Sequence, residues 1–214
     1  MKWLLLDVDD VLYDSSYLKS VARELAVRAM RDVGLPIDEE VALETLGEVV
    51  KEKGDDYPYH FNEMMRRLGL KEDFRVIAAG VVAYHDVKRA LLKPMPGVVD
   101  LILQARDMGV KVGVISKGPP VKEWEKVIRL GLFHLVDRAW IGEDISVDSV
   151  VREVGDNLLL VTADQELAKE ATSIGVKVIY IASKEPDPSL AKSGAEVVGR
   201  WEALGRIRSL LREL

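Results

Sequence analysis

The chain has 214 residues, 48 % of them hydrophobic, enough to bury a sizeable core as one large domain or one domain carrying an insert. It contains no cysteine, which excludes disulfides, thiol catalysis and thiolate-ligated metals. A net charge of -6, with Lys and Arg interspersed among Asp and Glu, excludes the basic stripe that nucleic-acid backbones require, and no apolar run is long enough to cross a bilayer.

Residues Lys2 to Val8 form an apolar run ending in acid, the pattern of a strand buried on both faces that delivers Asp7 and Asp9 to its C-terminal edge. From roughly Ser16 to Leu92 apolar residues recur at helical spacing, with breaks near Gly34-Leu35-Pro36, Gly54 to Tyr59 and Gly69 to Asp73, which predicts four helices. After Pro94-Met95-Pro96-Gly97, helices alternate with short β-rich runs at Lys111 to Ile115, Ala139 to Ile141, Leu158 to Val161, Lys177 to Ile181 and Glu196 to Val198. Trp201 to Leu214 is amphipathic, a helix that covers a sheet edge or, less simply, seals a dimer.

This order predicts an α/β fold: a Rossmann-like three-layer core with a parallel sheet and right-handed crossovers, made of residues 1–13 and 92–214. An all-α four-helix unit, residues 14–91, interrupts it as an insert after the first strand. No signal peptide opens the sequence, so a cytoplasmic location is expected. Only two asparagines and two glutamines stand against many Glu, Lys and Arg, a balance that suggests a thermophilic source.

Asp7-Val8-Asp9 places two carboxylates two residues apart, so at an extended strand end both point to one side while Asp10 faces elsewhere. Adjacent acids at a sheet edge repel each other, an arrangement that a hard cation such as Mg²⁺ or a shared proton relieves. Aspartates also end strands and open turns for purely local reasons. The second strand ends in Ser116-Lys117-Gly118, a hydroxyl, an ammonium and a glycine that together suit a phosphate cradle or an ordinary strand-to-helix turn. The fourth predicted strand ends at Thr162-Ala163-Asp164, bringing a third carboxylate to the same edge, where the side chains of Asp7, Asp9 and Asp164 are expected to meet around one divalent cation.

A DxDxV motif on the first strand, a Ser closing the second, an Asp after a later strand and Pro96-Gly97 after a helical insert together resemble the haloacid dehalogenase superfamily of hydrolases, over nearly the whole chain. The resemblance implies Asp7 as nucleophile, Asp9 as general acid/base, Ser116 bonding the transferred phosphoryl group, and Mg²⁺ held by Asp7, Asp9 (through its carbonyl) and Asp164. It implies a phosphatase acting on a small phosphorylated metabolite, because relatives that displace halide lack the second Asp; separately, the chain is expected to be a monomer or homodimer. The helical insert corresponds to a cap that would carry substrate contacts.

Departures from the family pattern are visible too. The lysine usual after the third strand is missing from Gly142-Glu143-Asp144-Ile145-Ser146-Val147-Asp148. A phosphoryl group beside carboxylates needs positive charge beyond one divalent ion, and Lys117 is the first choice to supply it, with Lys122 second. The glycine usual before the metal-binding Asp is Ala163, and a second Asp a turn later falls at Ala168 or Lys169. These changes leave open a weakened enzyme that binds a phosphorylated ligand, and a phosphomutase or 2-haloacid dehalogenase of the same superfamily is the other alternative. A signalling receiver domain also has acids after its first strand, but it is about half this length and accepts phosphate on a later strand. In the insert, His60, His85 and Lys88, with Tyr57, Tyr59 and Tyr84, are either substrate contacts or packed and solvated groups. His134 has no acidic companions and reads as a surface or packing residue.

Overall fold

The computed structural model describes residues 2–182, 190 and 192–213; Leu214, the end of the predicted last helix, lies outside them. Among the described residues six strands form one parallel sheet in the order β3-β2-β1-β4-β5-β6. They are β1 (Trp3–Asp7), β2 (Lys111–Lys117), β3 (Arg138–Gly142), β4 (Leu158–Thr162), β5 (Lys177–Ala182) and β6 (Glu196–Gly199). The alternation finds each strand, but pairing sets the ends. Strand β2 runs two residues beyond the predicted Ile115 because Ser116 and Lys117 align with Ile141 and Gly142 of β3.

Strand β1 is buried at every position because it is central, flanked by β2 and β4. The chain goes from β1 to β2 and β3 on one side, then returns past β1 to lay β4, β5 and β6 on the other. That reversal makes the carboxyl ends of β1, β2 and β4 the walls of a crevice, the place where such sheets take ligands.

The chain divides into two compact units, Met1–Ser15 with Leu92–Leu214, and Ser16–Leu91. In the first, α7 (Val147–Val154) and α8 (Gln165–Ser173) bury Val147, Val150, Leu167, Ala168 and Ala171 against Leu5, Ile115, Leu158, Leu160 and Tyr180 on one sheet face. Helices α5 (Val98–Asp107) and α9 (Arg200–Glu213) touch each other as well as β2 and β5, and cover the opposite face. Helix α6 (Pro120–Arg129) follows β2, with prolines before and at its first position that suit a helix start. The second unit holds α1 (Ser15–Asp32) for all but its first residue, with α2 (Glu39–Lys53), α3 (His60–Arg67) and α4 (Phe74–Leu91), four helices with their own core of Met30, Leu46, Met64 and neighbours.

One glycine in the sheet is required by close approach. Trp140 of β3 packs edge-on against Trp3 with ring centroids 5.5 Å apart, and its ring crosses Gly113 of β2 so closely that a β-carbon there would sit 2.5 Å from it. The Gly113→Ala variant is expected to lose about 1–3 kcal/mol of stability from overpacking. Urea unfolding followed by tryptophan fluorescence measures this, and an unchanged midpoint contradicts it.

Candidate active site

Asp7 ends β1 at the switch point, only 8 % exposed. Its Oδ1 accepts a hydrogen bond from the Val8 amide at 2.7 Å and its Oδ2 one from the Thr162 hydroxyl at 2.6 Å. Thr162 stands opposite because β1 and β4 run in register, Leu6 beside Val161. Burial is the main influence on Asp7; together with repulsion from Asp9 and Asp164 it outweighs the two hydrogen bonds and raises the carboxyl to about 7. Such a group is short of positive charge.

Beyond β1 the backbone folds back on itself. Asp10 takes a left-handed conformation with φ 58, and Leu12 N–H bonds the Val8 carbonyl at 3.0 Å. Aspartate tolerates this conformation better than most residues. The turn faces Asp10 away from Asp9, toward Arg200 of α9, which binds Asp10 Oδ1 at 3.1 Å and also pairs with Asp14. It also brings the buried Tyr13 back so that its hydroxyl donates to Asp9 Oδ1 at 2.8 Å. Burial first, and then the Asp9 charge, hold the Tyr13 phenol protonated far above its ordinary range.

The cation at this site was not among the sequence candidates. Lys126 of α6 places its Nζ 2.8 Å from Asp9 Oδ1 and 2.8 Å from Glu123 Oε1. Burial pulls the Lys126 ammonium down, but attraction and hydrogen bonding to Asp9 and Glu123 outweigh it and leave it above the ordinary lysine value. Lys117, the first choice from sequence, instead pairs with Glu170 of α8 at 2.8 Å and is 40 % exposed. As the last residue of β2 it follows the pleat, which turns it away from the side its neighbour Ser116 takes. Lys122 lies exposed on the first turn of α6.

Ser116 is buried at the end of β2, and its hydroxyl donates to Glu123 Oε2 at 2.7 Å. Gly118 fits against the same side chain, since a β-carbon there would lie 3.0 Å from Glu123 Oε1. Asp164 does not join Asp7 and Asp9 in a side-chain cluster: its Oδ1 accepts from the Leu167 amide at 2.8 Å and caps α8. Among the described residues no three His, Asp or Glu side chains are grouped to hold a metal. An Asp between strand and helix is a favoured N-cap, and that local preference accounts for its orientation. Its charge still reaches Asp7.

In the second unit, His60 begins α3 and its Nε2 bonds the Gly54 carbonyl at 2.8 Å, so the ring ties the α2–α3 connection. His85 is exposed on α4, edge-on to Tyr84, with Lys88 further along the same helix. Tyr57, Tyr59, Asn62, Glu63, Arg66 and Glu72 line a hollow of about 320 Å³ in this unit. His134 is exposed and rests against Phe133.

Sequence reasoning missed Lys126, Glu123, Tyr13 and Thr162. A signal existed for two of them: Glu123 and Lys126 are spaced i, i+3 on the helix leaving β2, close enough to share a face. Tyr13 and Thr162 carry no motif of their own.

A parallel sheet wound in both directions from β1, a helical unit inserted after that strand and a buried aspartate at the switch point define a Rossmann-like α/β core carrying a helical insert, with its candidate site at the carboxyl ends of the strands. The chain belongs to the haloacid dehalogenase-like hydrolases, whose family model matches residues 1–154. Glyceraldehyde 3-phosphate phosphatase of Methanopyrus kandleri is 47 % identical over 150 residues, 69 % of this chain and 64 % of that protein. The protein of the same name from Methanocaldococcus jannaschii is 40 % identical over 147 residues, again 69 % and 64 %. The match thus spans a little under two thirds of these relatives. In fold, the chain is similar to YfnB from Bacillus subtilis bound to magnesium, with a TM-score of 0.65, 16 % identity and coverage of 96 % and 97 %. No helix among the described residues is long and apolar enough to cross a membrane.

Proposed function

We propose that this protein is a magnesium-dependent phosphomonoesterase that works through a phospho-aspartyl intermediate on Asp7 and acts on a small phosphorylated metabolite, a triose phosphate in the first instance. The observation that carries the reading is the pair of aspartates at the switch point. One is buried and oriented through both oxygens; the other, two residues on, is gripped by an ammonium and a phenol.

In the first step an Asp7 oxygen attacks phosphorus while the bond to the substrate oxygen breaks, and Asp9 gives that oxygen a proton. In the second step Asp9 takes a proton from water, which attacks the same phosphorus, releases phosphate and restores the Asp7 carboxylate. Thr162 and the Val8 amide hold Asp7 in one orientation throughout. Lys126 supplies the positive charge that the family places after the third strand, here delivered from α6. The Asp7 carboxylate and the Asp9 carbonyl would hold a divalent cation, with Asp164 reaching it only through the oxygen that does not cap α8, and the crowding of negative charge at Asp7 is what such a cation would relieve. Bound there, magnesium would neutralise charge on the phosphoryl oxygens. The second unit, residues 16–91, would serve as the cap, with His60, His85 and Lys88 as its candidate contacts. The substrate class rests on the triose-phosphate phosphatases that this chain resembles.

The test is phosphate release from glyceraldehyde 3-phosphate, set against a panel of sugar, nucleotide and acid phosphates, with magnesium and with chelator. Magnesium-dependent turnover with the triose phosphate at the head of the panel is expected. Turnover unaffected by chelator overturns the metal's role, and a preference for another phosphate overturns the substrate.

A further inference from the structure

Glu123 is the one acid at this site to which the reaction assigns no task. It is buried to 6 % exposure, on the helix that also delivers Lys126. Three independent contacts converge on its carboxylate: Ser116 donates to Oε2 at 2.7 Å, Lys126 donates to both oxygens at 2.8 and 2.9 Å, and Gly118 leaves the room that its side chain occupies. A buried carboxylate is costly unless paired, and this one is paired with two groups expected to meet the phosphoryl group.

The Ser116 hydroxyl has a single proton. While it is given to Glu123 it cannot be given to a phosphoryl oxygen. Lys126, with three protons, bonds Glu123 and Asp9 at once, so Glu123 fixes where the ammonium sits beside Asp9. Glu123 also adds a negative charge beside a site that must receive an anion, so its presence works against ground-state phosphate binding.

We infer that Glu123 is a positioning residue. It holds the Ser116 hydroxyl and the Lys126 ammonium in place in the empty site and yields the serine proton when a phosphoryl group arrives, at a cost in anion affinity that is returned as an oriented Lys126 during the reaction. This rests on the phosphatase reading above, but its test separates the two.

The variant is Glu123→Gln, which fills the same volume over Gly118 and keeps an acceptor for Ser116 while removing the charge. Inorganic phosphate is titrated calorimetrically into wild type and variant in the presence of Mg²⁺, and kcat is measured on an aryl phosphate. The variant is expected to bind phosphate as tightly as wild type or up to about 10-fold more tightly, through lost repulsion and a weaker, uncharged hold on the Ser116 hydroxyl. Its kcat is expected to fall by about 10- to 100-fold, through a less constrained Lys126. A residue that only supported the fold would weaken both. Weaker phosphate binding by the variant, absence of phosphate binding in both proteins, or an unchanged kcat overturns the inference. A wild type that binds phosphate but hydrolyses no ester overturns the phosphatase reading, and the comparison of phosphate affinities then decides this one alone.

Discussion

Asp7→Asn is expected to abolish hydrolysis, with kcat down by about 10⁴-fold or more, while making the metal-free protein more stable above pH 7. The first effect follows from chemistry: an amide oxygen cannot form the acyl-phosphate, and what remains is binding and orientation of water. The second follows from electrostatics. Burial and neighbouring charges lift the Asp7 carboxyl from 3.8 to about 7 in the folded protein, so ionising it there is unfavourable. Its favourable contribution is complete below the unfolded value, fades as pH rises toward about 7, and is gone above that. Asparagine does not ionise and escapes the loss. A shift of this size corresponds to a few kcal/mol, at about 1.4 kcal/mol per unit. The measurement is urea unfolding of wild type and variant between pH 5 and pH 9 in chelator, beside phosphate release with magnesium. A variant that retains turnover removes Asp7 as nucleophile, and a wild-type stability that rises across that range contradicts the electrostatic account.

Lys126→Met is expected to lower kcat by about 10²- to 10³-fold, the usual consequence of removing one oriented charge from a developing anion. Methionine keeps much of the hydrocarbon stem and its packing while deleting the ammonium. Breaking the pair leaves Asp9 and Glu123 facing each other without their shared cation, so some stability is lost as well. Activity is therefore compared per folded molecule. Lys117→Ala and Lys122→Ala are expected to remain within about 3-fold of wild type, because Lys117 joins Glu170 in a half-exposed pair of small energetic weight. Full activity in Lys126→Met with loss in Lys117→Ala reverses the assignment and requires Lys117 to leave Glu170 when substrate binds.

Much of the fold follows from periodicity. The apolar run through Leu6 has the pattern of a strand buried on both faces, and the alternation after Gly97 implies a parallel sheet; both form. Strand ends were less legible, because they depend on what lies alongside: Lys117 belongs to β2 only through Gly142. In the site, the reach of Lys117 was judged by its nearness in sequence to Ser116, whereas the pleat sends neighbours to opposite sides.

The amino-acid sequence by itself determined the order of the elements, the strand-terminal carboxylates and hydroxyl, and the family, since each depends on residues a few positions apart. Only the tertiary structure decided which cation meets Asp9, which acid meets Ser116 and which hydroxyl meets Asp7. Those partners lie 117, 7 and 155 residues away in the chain, and they meet through strand register and the facing side of α6. The physical reason is one of range: propensity and pattern act over a helical turn or a strand, while charge pairing at the sheet edge depends on how separate elements are laid side by side.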